Sequence, residues 1–201
     1  MKAVIILGNI DNIDNNLIND SFVIGVDKGA YNAYKKNIKL DVAIGDFDSI
    51  NESELNELSN YTKIIKLNPI KDSTDTNEAI KLANSYDEIL ILGGIKGKRI
   101  EHFFANYIEL INNPKISILD DNSCIFTADK DTILNNTYKY VSIFSITPFS
   151  KISLEGFKYS LNQYKLANND PLCISNEIIS NPIIKIHNGR LLIICSRNDN
   201  E

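Results

Sequence analysis

Two aspartates stand one residue apart in the segment DVAIGDFDSI, directly after a run of apolar and small residues. In an extended chain, residues i and i+2 point to the same side, so Asp46 and Asp48 would direct two carboxylates into one volume. Two unpaired anions there would repel each other, or one would keep its proton. A hard divalent cation removes the conflict, because carboxylate oxygens suit Mg²⁺, and Asp75 with Asp72 could complete the group. The alternative is a surface turn in which the aspartates cap backbone amides.

A second segment, GGIKGKR at residues 93–99, carries the complementary charge. Glycines allow backbone amides to approach a phosphate, and the N-terminus of the following helix favours an anion. Lys96, Lys98 and Arg99 could bind phosphate oxygens, and an arginine can do so with two hydrogen bonds. The spacing differs from that of a G-x4-G-K-[ST] loop, and a plain glycine turn beside a solvated basic cluster is the alternative. Together, the acidic segment and the basic glycine loop suggest phosphoryl chemistry with Mg²⁺.

Both segments follow predicted strands. Short β-branched runs alternate with helical patterns over the first 120 residues, which predicts an α/β fold with a mostly parallel sheet flanked by helices. In such a sheet, ligands collect outside the carboxyl ends of the strands. We therefore expect the residues that follow the strands to meet at one edge and bind a nucleotide: Gly8, Asn9, Asp27, Lys28, Gly93, Gly94, Lys98 and Arg99.

The later part of the chain has a different pattern. After Asp120-Asp121-Asn122 the helical periodicity ends, and short extended runs alternate with turn residues. The sequence HNGR, with Asn188-Gly189 between two β-branched runs, predicts a hairpin. We predict a small antiparallel β-sandwich or barrel here. The chain is therefore expected to have an α/β catalytic, nucleotide-binding domain at residues 1–122 and an all-β domain at residues 123–201.

Composition argues against several classes of protein. The 201 residues carry a net charge of −5 without a lysine/arginine block, which argues against binding to nucleic acid. No apolar run approaches the roughly 20 residues of a transmembrane helix, and the N-terminal run breaks at Gly8 without a signal-peptide cleavage site. Three widely spaced cysteines form no CxxC pair, so we expect reduced thiols and a cytoplasmic protein. His102 and His187 form no metal triad.

Four segments, in this order, resemble those of one family, thiamine pyrophosphokinase. VDKGAYNAYKKNIKLDVAIGDFDSI is similar to the acidic nucleotide segment of that family, IKDSTDTNEAI to its D-x-T-D helix start, and LGGIKGKRIEHFFAN to its G-G-x-x-G-R-x-D-H loop. In the second half, GFKYSLNQYKLANNDPLCISNE resembles the thiamine segment that ends in S-N-E. The resemblance covers almost the full chain. The chain departs from the family pattern at Lys28, at Glu101 in place of aspartate, and in having no tryptophan.

The resemblance implies an α/β catalytic domain, a β-sandwich domain that binds thiamine, and a homodimer with thiamine at the subunit interface. It also implies transfer of the β,γ-pyrophosphoryl group of ATP to the thiamine hydroxyl, with release of AMP. By matching position, Asp46, Asp48 and Asp75 would hold Mg²⁺ and the triphosphate, and Arg99 would stabilise phosphate charge. We expect Asp72 to accept or orient the hydroxyl proton. Four residues are expected to bind thiamine: Glu101, His102, Ser175 and Asn176.

Two other functions stay open on the sequence. A pyrophosphokinase for another heterocyclic alcohol, such as a hydroxymethylpterin, could use a similar scaffold, although a different acceptor should require a different second half. A non-catalytic sensor of thiamine compounds or nucleotides is the other alternative. A sensor need not keep three acidic positions together with Arg99, so the sequence favours the enzyme.

Overall fold

The computed structural model describes residues 1–8, 10, 12–97 and 99–197. Two residues that we expect at the nucleotide site, Asn9 and Lys98, lie outside these ranges. The chain forms two compact units, Met1–Asp121 and Asn122–Glu201. Among the described residues, no helix is both long enough and apolar enough to cross a membrane.

The first unit is built on a parallel sheet, which has six strands within the described ranges. The strands are β1 (Lys2–Ile6), β2 (Ser21–Val26), β3 (Val42–Gly45), β4 (Lys63–Lys66), β5 (Glu88–Leu92) and β6 (Ile116–Leu119). They lie in the order β6-β5-β1-β2-β3-β4, and each neighbouring pair is parallel. The central strand β1 is buried from Ala3 to Ile6, which explains its continuous apolar run. The mixed α/β fold expected from the sequence is confirmed.

Capping residues determine where two helices of the first unit begin. The α-helices in its described part are α1 (Lys28–Lys35), α2 (Glu52–Tyr61), α3 (Asp75–Ala83) and α4 (Ile100–Asn112), with a 3₁₀ turn at Asn15–Leu17. A capping box starts α2: the Asn51 side chain accepts the Glu54 N–H, and the Glu54 carboxylate accepts the Asn51 N–H. The Thr74 hydroxyl accepts the Asn77 N–H at 3.1 Å. Thr74 thereby fixes Asp75 as the first residue of α3.

The strand order of the first unit changes direction at β1. Strands β1 to β4 follow one another across the sheet, whereas β5 pairs with the other side of β1 and β6 continues from β5. The loops that leave β1 and β5 therefore lead to opposite sides, and open α/β sheets bind ligands in the crevice at such a point. Gly8 follows β1 and Gly94 follows β5, so both residues lie at this crevice.

The second unit consists of antiparallel strands. Within the described residues they are β7 (Ser123–Ala128), β8 (Thr132–Ile133), β9 (Tyr140–Ser145), β10 (Phe149–Phe157), β11 (Leu161–Ala167), β12 (Asn176–Asn188) and β13 (Leu191–Ser196). One strand group has the order β7-β13-β9, and the other places β12 between β8 and β10, with β11 beyond β10. The first two residues of β12, Asn176 and Glu177, pair with β9, so β12 joins both groups. Side chains from both groups share one core, among them Val141, Ile152 and Ile184.

The prediction of a hairpin at HNGR is wrong. Asn188-Gly189 does connect β12 with β13, but at this end β12 pairs with β10, and β13 pairs with β7 and β9. The turn therefore carries the chain from one strand group to the other. Gly189 has a φ of +91°, and a Cβ added there would lie 2.8 Å from Ser150 Cα. The close approach of β10, and not a hairpin, is the reason for the glycine.

Candidate active site

A cavity of about 590 Å³ lies at the carboxyl edge of the parallel sheet in the first unit. Gly8, Asp27 and Gly94 line it from the loops that follow β1, β2 and β5. Asp75 and Arg99 line it from the N-terminal ends of α3 and α4. Ligand pockets for small molecules have volumes of roughly 300–1,000 Å³, so the cavity has the size of a nucleotide or cofactor site.

Three carboxylates come together in this region: Asp27, Asp46 and Asp75, called here the acidic group. One carboxylate oxygen from each residue lies within 4.8 Å of the other two. The three residues come from the ends of β2 and β3 and from the first turn of α3. All three are partly buried, so solvent screens their mutual repulsion less than it would at the surface. Carboxylate oxygens arranged in this way can bind a hard divalent cation.

Asp27 is held in the acidic group by an unusual backbone geometry. Its φ of 47° and ψ of −125° belong to a sparsely populated region for residues with a side chain. Its N–H donates to the Ile44 carbonyl at 3.0 Å, and its Oδ1 accepts the Phe47 N–H at 3.2 Å. A Cβ at Gly45 would lie 1.8 Å from Asp27 Oδ1. The glycine at the end of β3 is therefore required by the position of the Asp27 carboxylate.

The carboxyl of Asp27 titrates well above the usual range of aspartate. Burial, followed by the charge of Asp75, raises its pKa from 3.8 to about 6; Asp46 and Asp48 add to this effect, and the hydrogen bond from Phe47 opposes it. Desolvation and neighbouring negative charge both favour the protonated form of a carboxyl group. A cation in the acidic group would act in the opposite direction, because it stabilises all of the carboxylates.

The extended geometry expected for Asp46 and Asp48 is not found. Phe47, between them, has a φ of +60°, in the left-handed region. Asp46 Oδ1 accepts the Asp48 N–H at 3.1 Å, which is the amide-capping turn that was the alternative explanation for the pair. Asp46 nevertheless joins the acidic group, whereas Asp48 is exposed at the rim and acts on the pKa of Asp27. Direct metal binding by Asp48 stays a prediction.

Lys71 lies next to the acidic group and was not among the expected site residues. Lys71 Nζ lies 3.0 Å from the buried Asp75 Oδ1 as an ion pair, and no other partner of this oxygen is found among the described residues. The same ammonium group donates to the Asn68 carbonyl at 3.3 Å. Burial lowers the pKa of Lys71, but the hydrogen bond with Asp75 and the charges of Asp75, Asp46 and Asp27 outweigh this effect, and the net shift is upward. The acidic group therefore has a positive partner from the protein itself.

Two asparagines hold the glycine loops of the cavity. The Asn32 side chain of α1 donates to the Gly8 carbonyl at 3.1 Å, and the Asn106 side chain of α4 donates to the Gly94 carbonyl at 3.2 Å. Asn106 is only 4% exposed, and a Cβ at Gly94 would lie 2.6 Å from its Nδ2 atom. Gly93 donates its N–H to the end of β6 at 2.8 Å and so continues the sheet. Hydrogen bonds from α1 and α4 therefore hold the loops at Gly8 and Gly94 in place.

Within the described residues, three exposed lysine or arginine side chains line the cavity: Lys28, Lys96 and Arg99. Lys28 is the first residue of α1. Lys96 Nζ lies 3.7 Å from the Asp121 carboxylate, and Arg99 Nε donates to the Glu101 carboxylate at 2.8 Å. Ion pairs between exposed groups contribute about 0–1 kcal/mol. The Arg99–Glu101 pair is exposed on both sides, so a phosphate could replace Glu101 as the partner of Arg99 at small cost.

Of three further residues expected at the site, one lines the cavity. His102 lines it, one turn into α4. Glu101 is exposed, and the hydrogen bond from Arg99 lowers its pKa. Asp72 is exposed in the segment before α3 and is not a member of the acidic group. The roles assigned to these three residues stay predictions.

The expected thiamine residues of the second unit lie beside a cavity of about 300 Å³, whose lining includes Leu172 and Asn176. The Asn176 amide is 4% exposed and binds the backbone of Tyr159 twice: Oδ1 accepts its N–H at 3.0 Å, and Nδ2 donates to its carbonyl at 2.8 Å. Ser175 is exposed and has a φ of +53°, and its N–H donates to Ser142 Oγ at 3.0 Å. Asn176 thus supports the wall of this cavity, while Ser175 presents its side chain to the surface.

Three residues at the site, Lys71, Asn32 and Asn106, were not predicted from the sequence, and Asp27 was predicted to bind only the nucleotide. Lys71 and Asp75 are four residues apart, a spacing typical of ion pairs on a helix. The pairing was not expected because Lys71 precedes the helix. Asn32 and Asn106 each lie in a helix near a glycine loop, but this chain contains many asparagines, so the pattern had no specificity.

A parallel sheet that brings carboxylates, basic side chains and glycine loops to its switch point defines a nucleotide-dependent phosphotransferase. Comparison with models of protein families identifies which family of phosphotransferases the chain resembles. Residues 5–119 match the family model described as thiamin pyrophosphokinase, catalytic domain, and residues 128–193 match that described as thiamin pyrophosphokinase, vitamin B1 binding domain. The chain belongs to the thiamine pyrophosphokinase family, as the four sequence segments predicted.

Individual relatives agree with this membership. The chain is 33% identical to the thiamine pyrophosphokinase of Bacillus subtilis (strain 168) over 187 residues, which covers 86% of each protein. The crystal structure of thiamine pyrophosphokinase from B. subtilis superimposes with a TM-score of 0.85 at 28% identity and covers 98% of this chain and 99% of that one. The enzyme from Geobacillus thermodenitrificans gives a TM-score of 0.84 at 25% identity, with 99% of both chains covered.

Proposed function

We propose that this chain transfers the β,γ-pyrophosphoryl group of ATP to the hydroxyl of thiamine, giving thiamine diphosphate and AMP. A bond forms between the thiamine oxygen and the β-phosphorus, the bond from that phosphorus to the α,β-bridging oxygen breaks, and AMP leaves with this oxygen. Family membership supports the reaction and its two substrates. The observation on which the site assignment rests is the acidic group beside the basic residues of one cavity.

The acidic group fits a divalent cation. Its donors are all carboxylate oxygens, and the buried Asp75 Oδ1 has only Lys71 Nζ as a partner among the described residues. Oxygen donors of this kind suit Mg²⁺. We therefore assign Asp27, Asp46 and Asp75 as the residues that hold it, with Asp48 at the rim. When bound, Mg²⁺ supplies positive charge that neutralises phosphate oxygens and screens the incoming hydroxyl from the polyphosphate.

The basic residues and glycine loops position the triphosphate. In this proposal, Lys28, Lys96 and Arg99 bind phosphate oxygens, and Arg99 exchanges its carboxylate partner Glu101 for phosphate. The loops at Gly8 and Gly94 permit close approach of the nucleotide to the backbone. Pyrophosphoryl transfer requires alignment of the hydroxyl and fixed positive charge more than a covalent intermediate. Positioning is therefore the main contribution of these groups.

The acceptor side of the reaction is assigned by the family resemblance. We propose that Ser175, Asn176, Glu101 and His102 bind thiamine, with Asn176 acting through the cavity wall that it supports. Asp72 is the proposed acceptor of the hydroxyl proton. We also propose a homodimer that binds thiamine at the subunit interface. The cytoplasm is the proposed location, in keeping with three free cysteines.

A product assay tests the proposed function. The purified protein, incubated with ATP, thiamine and Mg²⁺, should form AMP and thiamine diphosphate in equal amounts. Formation of ADP would reject pyrophosphoryl transfer. Turnover of a hydroxymethylpterin in place of thiamine would favour the pterin alternative. Binding of thiamine or ATP without any product would favour the sensor.

A further inference from the structure

The ammonium group of Lys71 binds Asp75 Oδ1, an oxygen that a divalent cation in the acidic group would also bind. We propose that Lys71 is a positioning residue that neutralises the acidic group before the metal binds and competes with the metal for Asp75. This inference rests on the proposed function, since it takes the acidic group as the metal site. It implies that free Mg²⁺ binds weakly and that the metal enters mainly as its complex with the nucleotide.

The local structure holds Lys71 at the acidic group. Asn68 Oδ1 accepts the Ile70 N–H at 2.9 Å, which makes a tight turn just before Lys71. The Asn68 carbonyl then accepts a hydrogen bond from Lys71 Nζ at 3.3 Å, and Asp75 Oδ1 lies 3.0 Å from the same nitrogen. The Lys71 side chain is only 17% exposed. The ammonium group is therefore directed inward, unlike the exposed lysines of this chain.

The charges explain why Lys71 and a metal compete. Three ionised carboxylates within 4.8 Å carry a charge of about −3 and repel one another, and one ammonium group reduces this charge to about −2. Among the described residues, Asp75 Oδ1 has no partner other than Lys71, so this ion pair is its main compensation. A divalent cation that takes this oxygen must displace Lys71 and accept repulsion from its charge. A metal–nucleotide complex meets less repulsion, because its phosphates carry negative charge.

Binding of Mn²⁺ alone, measured by electron paramagnetic resonance of the free ion without nucleotide, tests the proposal. Lys71→Met should lower the Kd for Mn²⁺ about tenfold, and it should lower the urea midpoint of unfolding in EDTA. Lys71→Arg keeps the charge and should retain the wild-type Kd. The matched control is Lys81→Met, which removes a lysine that is 60% exposed and paired with Glu78 on the outside of α3. The control should change the Kd less than twofold.

An unchanged or raised Kd in Lys71→Met would overturn the competition between Lys71 and the metal. If this variant does not fold, Lys71→Gln, which retains a polar side chain, provides the same comparison. Asp46→Asn should weaken Mn²⁺ binding both in the wild-type protein and in Lys71→Met. If neither the wild-type protein nor Lys71→Met binds Mn²⁺, or if Asp46→Asn has no effect on the binding seen in Lys71→Met, both the metal site and this inference fail. If Asp46→Asn behaves as expected and only the Lys71 variants do not, the inference alone fails and the proposed function stands.

Discussion

At the scale of single residues, Asp27 carries two unfavourable features at once. Its backbone lies in a sparsely populated region, and its carboxyl is partly buried beside other carboxylates. Features of this kind persist at functional sites because the surrounding structure imposes them. Here the hydrogen bond from Phe47 and the missing side chain of Gly45 impose the position. The acidic group is therefore maintained at a cost in stability, which can be measured.

Asp27→Asn should stabilise the metal-free protein at neutral pH. The pKa of Asp27 is about 6 in the folded protein and 3.8 in the reference state, so folding favours the protonated form. The contribution of Asp27 to the free energy of unfolding is therefore greatest below pH 3.8 and is lost as the pH rises to about 6. In EDTA at pH 7.5, the variant should gain about 1 kcal/mol in urea unfolding. The gain should vanish at pH 3.5, and an equal gain at both pH values would contradict the assignment.

Asp46→Asn should abolish most turnover without unfolding the protein. Asp46 belongs to the acidic group, and its loss removes one of three charges that would hold the metal and, with it, the triphosphate. We expect kcat to fall by about 100-fold or more, by analogy with the loss of one charge-stabilising group. Asp129→Asn, at an exposed aspartate of the second unit, serves as the control. Wild-type kcat in Asp46→Asn would remove its assigned role.

The acidic group was only partly predictable at this scale. Asp46 and Asp75 follow recognisable element boundaries, and the expectation that their carboxylates are close together agrees with the structure. The position of Asp48 depends on the left-handed conformation of Phe47, which no sequence pattern indicates for a bulky residue. Lys71 could not be assigned, because its direction depends on the turn at Asn68.

At the scale of elements, the start of α3 connects helix stability to the site. Thr74→Ala removes the cap and should cost about 1 kcal/mol of stability. Because Asp75 is the first residue of α3, fraying of this end should also lower kcat/KM. Asn51→Ala removes the cap of α2, outside the lining of the cavity, and should cost about the same stability without a change in kcat/KM. Equal effects of Thr74→Ala and Asn51→Ala on kcat/KM would contradict the connection between the start of α3 and the active site.

Element boundaries were predictable where burial follows a simple rule. Four strands of the parallel sheet, β1, β2, β3 and β5, are buried on successive residues, and their apolar runs indicated them directly. β11 was not predicted, because Leu166 is its one fully buried residue among those described and the alternation of apolar and polar residues is weak. The error at Asn188-Gly189 has another cause: the same residues favour any tight turn, and the partners of the flanking strands are set by long-range packing.

At the scale of the whole molecule, the homodimer is a prediction from the family. Sedimentation equilibrium of the purified protein should give twice the chain mass of 22.6 kDa at assay concentrations. Thiamine should increase the dimer fraction, because a ligand bound at a subunit interface stabilises the associated state. The prediction would be contradicted if the protein sediments as a monomer under conditions in which it turns over thiamine.

In the second unit, β12 is bonded at its start to β9 and further along to β10 and β8. One strand group cannot separate from the other without also breaking the bonds of β12. Amide hydrogens of Ile143 in β9 and Ile152 in β10 should therefore exchange with solvent deuterium through the same opening event. Their exchange rates, followed in increasing urea, should converge on a single free energy of opening.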